Sequence, residues 1–189
     1  MKNNVYYIPI GNSCRPTWYL QKMGYRKFAF PFDWTVTPLK SIIEILKNDF
    51  EEFFYLDNLI FLSPTKRFLF KDDEENPELV DEIITPVYDK KYHILYVHDF
   101  SEKGKLEYEQ VKKKYMRRVK RLKEILKDKN NEIIFIYSND DINNWQEMQY
   151  SKVNYIFQRL SQEQLEQLYL NQDNIKFIAL ENFEKEINK

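Results

Sequence analysis

The stretch Val5-Tyr6-Tyr7-Ile8-Pro9-Ile10-Gly11-Asn12-Ser13-Cys14 decides the reading of this chain. Val5 to Ile10 is apolar, β-branched and aromatic, which predicts a strand. Gly11, Asn12 and Ser13 break it. Cys14 to Met23 then reads as a helix, with Ser13 or Asn12 as its cap, Pro16 in its first turn and Gly24 at its end. A strand that turns through a glycine directly into a helix is the opening of an α/β unit.

Working outward, further strands are predicted at Tyr92 to Val97, Glu132 to Tyr137 and Ile175 to Leu180. Between them Leu39, Ile42, Ile43, Leu46 and Phe50 recur at helical spacing, and Phe53 and Phe54 extend the pattern. Val111, Tyr115, Val119, Leu122 and Leu126 mark a long helix over Glu107 to Lys127. Leu59 to Leu62 and Arg67 to Phe70 read as short strands, paired as a hairpin. Lys71 to Asn76 reads as a charged loop and Glu78 to Ile84 as one or two helical turns. A polar loop is predicted from Asn139 to Trp145, helices near 151–159 and 161–170, and a polar tail. The expected fold is a single α/β domain over 1–189, with a central, at least partly parallel sheet flanked by helices. Residues 141–189 read as a helix–strand extension of it.

Composition narrows the function. The 189 residues are 43% hydrophobic, 16% aromatic and 31% charged, with a net charge of −1. That balance excludes a disordered chain and gives no global field toward nucleic acid or anionic membrane. Three glycines, none close together, exclude a P-loop and a GxGxxG fingerprint. One cysteine and two histidines exclude a disulfide framework and leave no metal set, so neither metal nor cofactor is expected. Mean hydropathy is −0.67, and no apolar run approaches a membrane span of roughly 18–20 residues. The N-terminus lacks the long apolar core of a secretory signal. A soluble, cytoplasmic protein is expected.

Four groups of residues could carry chemistry. Gly11, Asn12, Ser13 and Cys14 place a thiol after a strand, at the first turn of a helix. Backbone N–H groups and the helix dipole there favour a thiolate and can later hold an oxyanion. The plain alternative is a small buried hydrophobe. His98 ends a strand beside Asp99, at the edge where open α/β sheets bind ligands. If its strand and that of Cys14 were parallel neighbours, the pair could act as nucleophile and proton shuttle. His93 reads as a structural mid-strand residue. Asp33, set among Phe28, Phe30, Phe32 and Trp34, is costly unless paired. It could orient the imidazole or hold an arginine. The basic run from Lys112 to Lys123 reads as the solvent face of the long helix. Arg117 or Arg118 could reach inward to an acid, and without interleaved aromatics no nucleic-acid partner is expected.

Taken in order, Ile10-Gly11-Asn12-Ser13-Cys14-Arg15-Pro16, Tyr19-Leu20, Phe28-Ala29-Phe30-Pro31-Phe32-Asp33-Trp34, Asn48-Asp49-Phe50, His98-Asp99-Phe100 and Tyr115-Met116-Arg117-Arg118-Val119-Lys120-Arg121-Leu122 resemble the DUF1796 family of papain-like cysteine peptidases, from about residue 5 to 140. The resemblance implies Cys14 as nucleophile and His98 as general base. Papain-like enzymes add an Asn or Asp that orients the ring. Asp33 is favoured for that role, with Asp99 and Asp140 as alternatives. Gly11, Asn12, Ser13, Arg15, Trp34, Asp99, Arg117 and Arg118 are the expected binding residues, and the partner is a peptide or small-molecule substrate. Papain-like folds set the Cys-bearing helix against an antiparallel sheet that carries the His. Here the order after His98 reads instead as doubly wound α/β. The same residues would serve a cysteine amidase or acyltransferase. Two other classes remain open at this point: a nucleotide-sugar or phosphate-binding transferase using Arg117 or Arg118, and a binding module in which Cys14 and His98 are structural.

Overall fold

In the computed structural model, which describes residues 4–70, 79–139, 160–168 and 173–187, Val5–Gly11 form strand β1. β1 pairs in parallel with Glu132–Ser138, strand β8, in the register Val5 to Glu132 through Gly11 to Ser138. Ile175–Ala179, strand β9, pairs in parallel with the other side of β8. The order is thus β1-β8-β9. β1 is an edge strand of this sheet, which is where a strand proline such as Pro9 is tolerated.

Alternation along β8 feeds two cores. Ile133, Phe135 and Tyr137 join Ile8 and Ile10 of β1 in the main core. Ile134 and Ile136 face the other way and meet Leu20, Leu180 and Phe183. A parallel sheet covered on both faces needs apolar residues at successive positions, and EIIFIY supplies them. Leu20 comes from helix α1, Arg15–Lys22. Leu180 and Phe183 come from a helix at Leu180–Ile187, so the segment read as a polar tail is an amphipathic helix that closes this second core.

A second sheet is antiparallel. It has the order β2-β7-β6-β3, with β2 at Thr35–Val36, β3 at Leu59–Phe61, β6 at Val87–Asp89 and β7 at Ile94–Tyr96. Helix α2, Leu39–Lys47, precedes β3, and its Leu39, Ile42, Ile43 and Ile45 are buried in the main core. Thr65–Phe70 (β4) and Leu79–Ile84 (β5) form a separate antiparallel pair. Helix α3, Tyr108–Lys127, buries Val111, Tyr115, Val119, Leu122 and Ile125. Gln162–Leu168 form helix α4, which makes the helix at Leu180–Ile187 α5.

The α/β class and the parallel sheet are as expected. Several details differ. The short strands near 60 and 67 are present but do not pair with each other, because β3 pairs with β6 and β4 with β5. The predicted helical turns at 78–84 are the strand β5, a local pattern overridden by pairing with β4. α2 stops at Lys47, since Asp49, Phe50, Glu52 and Phe54 take positive φ, and Phe50, Phe53 and Phe54 reach the core from an irregular turn. His93 lies in the turn before β7, with φ of +56°, and not in mid-strand. The predicted loop at 71–76 and helix at 151–159 fall outside the described residues.

Candidate active site

Gly11 ends β1 with φ of +119°, and a Cβ there would stand 2.6 Å from the carbonyl oxygen of Ser138. Only glycine lets β1 approach β8 so closely while the chain turns. The carbonyl of Gly11 accepts the N–H of Thr37 at 3.0 Å. Asn12 follows, 1% exposed, with a buried side-chain oxygen that accepts no hydrogen bond among the described residues. The Ser13 and Ser138 hydroxyls lie 3.1 Å apart, which ties the ends of both strands together.

Cys14 is the N-cap of α1, in place of the predicted Ser13 or Asn12. Its backbone already takes helical angles, and its carbonyl accepts the N–H of Trp18 at 3.0 Å. Ser13 still assists, because its hydroxyl oxygen accepts the Arg15 N–H at 3.3 Å. Pro16 has no N–H to orphan in the first turn. The thiol is half-buried, not sealed in the core.

His98 arrives from the other sheet. Its strand, β7, is antiparallel and is no neighbour of β1. Convergence therefore does not come from adjacent parallel strands. It comes from two sheets meeting at the mouth of α1. Cys14 Sγ lies 3.9 Å from Nε2 of His98, across 84 residues of sequence. The antiparallel sheet that carries the His and the parallel sheet that leads into the Cys helix coexist in one fold.

The segment holding His98 is anchored by its neighbour. Oδ1 of Asp99 accepts Lys114 Nζ at 2.6 Å and Oδ2 accepts the Tyr115 hydroxyl at 2.9 Å. Asp99 is thus bound to α3, consistent with a side chain directed away from the imidazole. Tyr115 stacks on Phe54 at 4.5 Å between ring centroids, and Phe54 also meets Tyr96, Phe100 and Tyr108. This aromatic block packs the segment on either side of His98, through Tyr96 and Phe100, into the main core.

Asp33 is fully buried, and its Oδ2 accepts Arg26 Nε at 2.7 Å. It holds an arginine, the second of the two roles open to it, and makes no hydrogen bond to His98. Burial raises its carboxyl above the usual carboxylate range, opposed by the charges of Arg26 and Arg118. Arg118 is 1% exposed, its guanidinium 5.0 Å from the Tyr115 ring. Burial pushes it down to about 9, against the pull of Asp33. Trp34 is buried with φ of +61°, and its backbone N–H donates to Thr17 Oγ1 at 3.4 Å, which ties the turn at 30–34 to α1.

The basic run is not simply a solvent face. Arg118 is interior, Lys114 holds Asp99, Arg121 donates to the carbonyl of Ala29 at 2.7 Å, and Lys123 pairs with Asp49. Arg117 and Arg15 are exposed. Of the two α3 arginines that a phosphate-binding site could draw on, Arg118 lies in the core within the field of Asp33 and Arg117 lies at the surface. Asp140 lies outside the described residues. Sequence reasoning missed Arg26, Lys114 and Tyr115. Only the i, i+4 stripe of α3 signalled Tyr115, as core.

Among the described residues, no three His, Cys, Asp or Glu side chains group as metal ligands, and no helix is long and apolar enough to cross a membrane. No solved structure matches the chain. It is 31% identical over 127 residues to the "Uncharacterized protein R408" of Acanthamoeba polyphaga mimivirus, an alignment covering 64% of this chain and 56% of that protein. The chain therefore spans little more than half the length of that relative. A model of the family described as "Putative papain-like cysteine peptidase (DUF1796)" matches residues 5–171, the segment that contains Cys14, His98 and their supports, and the chain belongs to that family.

Proposed function

We propose that this protein is a cysteine hydrolase that cleaves an amide or thioester bond, with Cys14 as nucleophile and His98 as its proton acceptor and donor. The observation that carries the reading is the 3.9 Å approach of Sγ to Nε2 at the N-terminus of α1. His98 takes the thiol proton, and Sγ attacks the carbonyl carbon. The oxyanion is held by backbone N–H groups of the opening turn of α1, with the buried amide of Asn12 beside them. The leaving amine or thiolate departs with the proton from His98, and water then frees the acid product and the thiol. Asp99 acts through Lys114 and Tyr115 as a positioning residue, and Asp33 acts through Arg26 on the scaffold around α1.

Family membership supports the peptidase form of this chemistry, and a peptide is the proposed substrate. The test is digestion of a mixed peptide library followed by mass spectrometry, using wild type, Cys14→Ala and His98→Ala. New peptide termini that disappear in both variants support the reading. Termini that persist in Cys14→Ala, or none from a wild type of full thiol titre, count against it.

A further inference from the structure

Cys14, Trp18 and Lys22 stand four residues apart along α1, and the Trp18 N–H bond to the Cys14 carbonyl shows that the helical turn between them is formed. Positions i and i+4 share a helix face, and helical side chains lean toward the N-terminus. The Trp18 side chain therefore leans toward the turn that carries the thiol. The inward face of α1 is taken by Pro16, Thr17 and Leu20, all buried. Trp18 faces out, 54% exposed, whereas Trp34 is 7% exposed. Lys22 Nζ sits over the Trp18 ring, 4.9 Å from its centroid, so its ammonium covers one face of the indole as a cation–π contact.

Single exposed hydrophobics are ordinary on a protein surface. This one is distinguished by place, since it stands one helical turn beyond Cys14 and already carries a cation on its ring. We infer that Trp18 is a specificity-determining residue, a stacking platform for a planar ring of the substrate, with the flexible Lys22 ammonium passing from the indole face to an acidic group attached to that ring. The inference rests on the Cys14–His98 reading for its reaction, but the platform can be tested separately from it.

The probes are iodoacetamide, its N-phenyl analogue and the N-(4-carboxyphenyl) analogue. Each forms an S–C bond with the Cys14 thiolate and releases iodide with the bonding pair. Rates on the full chain are divided by those of free N-acetylcysteine with the same reagent. The phenyl reagent should exceed iodoacetamide by about fivefold on this normalised scale, within the range of an aromatic contact. The carboxylate should add about a further twofold that salt removes, as for an exposed ion pair. Trp18→Ala should erase the ring preference and Trp18→Phe should keep most of it. Lys22→Gln should erase only the carboxylate increment. A ring preference absent from the wild type, or unchanged in Trp18→Ala, overturns the inference. The His98→Ala variant with plain iodoacetamide reads the catalytic pair alone. A ring preference that persists beside a His98-insensitive rate would uphold the platform and sink the hydrolase.

Discussion

The Tyr115 hydroxyl donates to Oδ2 of Asp99 at 2.9 Å, so helix α3 fixes the residue next to His98. Lys114 holds the other oxygen of the same carboxylate. Tyr115→Phe removes one charge-assisted bond and should cost about 1.5–3 kcal/mol in a urea unfolding curve. The same variant should slow alkylation of Cys14 at neutral pH, because the segment carrying the imidazole loses an anchor. Lower stability with an unaltered alkylation rate would show that Asp99 has no positioning role.

The Arg26–Asp33 pair gives a second prediction. Both side chains are fully buried, so Arg26→Met leaves a carboxylate without its hydrogen-bonded partner and should destabilise by about 3–5 kcal/mol. Arg118 stays near it, which places the expected value at the lower end. Asp33→Asn should destabilise as well, yet it should not move the pH midpoint of Cys14 alkylation, since Asp33 bonds Arg26 and not His98. A displaced midpoint would restore Asp33 as the group that orients the ring.

Gly11 is the third position. Alanine there must hold φ of +119° and place a Cβ 2.6 Å from the Ser138 carbonyl oxygen. The strain of such a conformation alone is about 1–3 kcal/mol, and separating β1 from β8 adds to it. A fall in the unfolding midpoint together with faster amide exchange in β8 should follow. Unchanged exchange in β8 would mean that the contact is relieved locally.

The chain showed much of this in advance, where local and tertiary demands agree. VYYIPIG and EIIFIY read as strands because a parallel sheet covered on both faces requires apolar residues at every position. The Gly-to-Cys turn was legible for the same reason, since few residues other than glycine tolerate its backbone. What could not be read was pairing across distance. Nothing in the sequence says that β3 meets β6, or that Leu79–Ile84 is a strand, because those outcomes depend on partners elsewhere in the chain. Asp33 was visible as a buried acid, but Arg26, seven residues earlier in a polar stretch, carried no mark as its partner. The 3.9 Å convergence of Cys14 and His98 also has no local signature, since each residue reaches the site from a different sheet.

Tyrosines set an alkaline limit. Tyr96 and Tyr115 are fully buried and held well above the ordinary value of 10.0, first by burial and then by nearby carboxylates, Asp89 and Asp99 for Tyr96 and Asp99 for Tyr115. Above pH 10 the unfolded chain releases these protons while the folded chain retains them, so stability falls as pH rises. The slope approaches about 1.4 kcal/mol per pH unit for each such tyrosine. Arg118, at about 9 against an ordinary 12.5, acts in the opposite sense, because there the unfolded chain binds the proton more tightly. Two buried tyrosines outweigh it, and Tyr7, Tyr88 and Tyr137 are raised as well. Urea midpoints between pH 10 and 11 should drop, with phenolate absorbance of the buried rings appearing only on unfolding.

The most direct measurement is the rate of iodoacetamide alkylation of Cys14 as a function of pH, in wild type and in His98→Ala. A free thiol is only about 1% ionised two pH units below its ordinary value of roughly 8.5. A thiolate held by imidazolium and a helix N-terminus should react at pH 6.5 about tenfold faster than the His98→Ala protein, whose rate should climb only as an ordinary thiol ionises. Superimposable profiles for the two proteins, both following an unassisted thiol, would contradict the account.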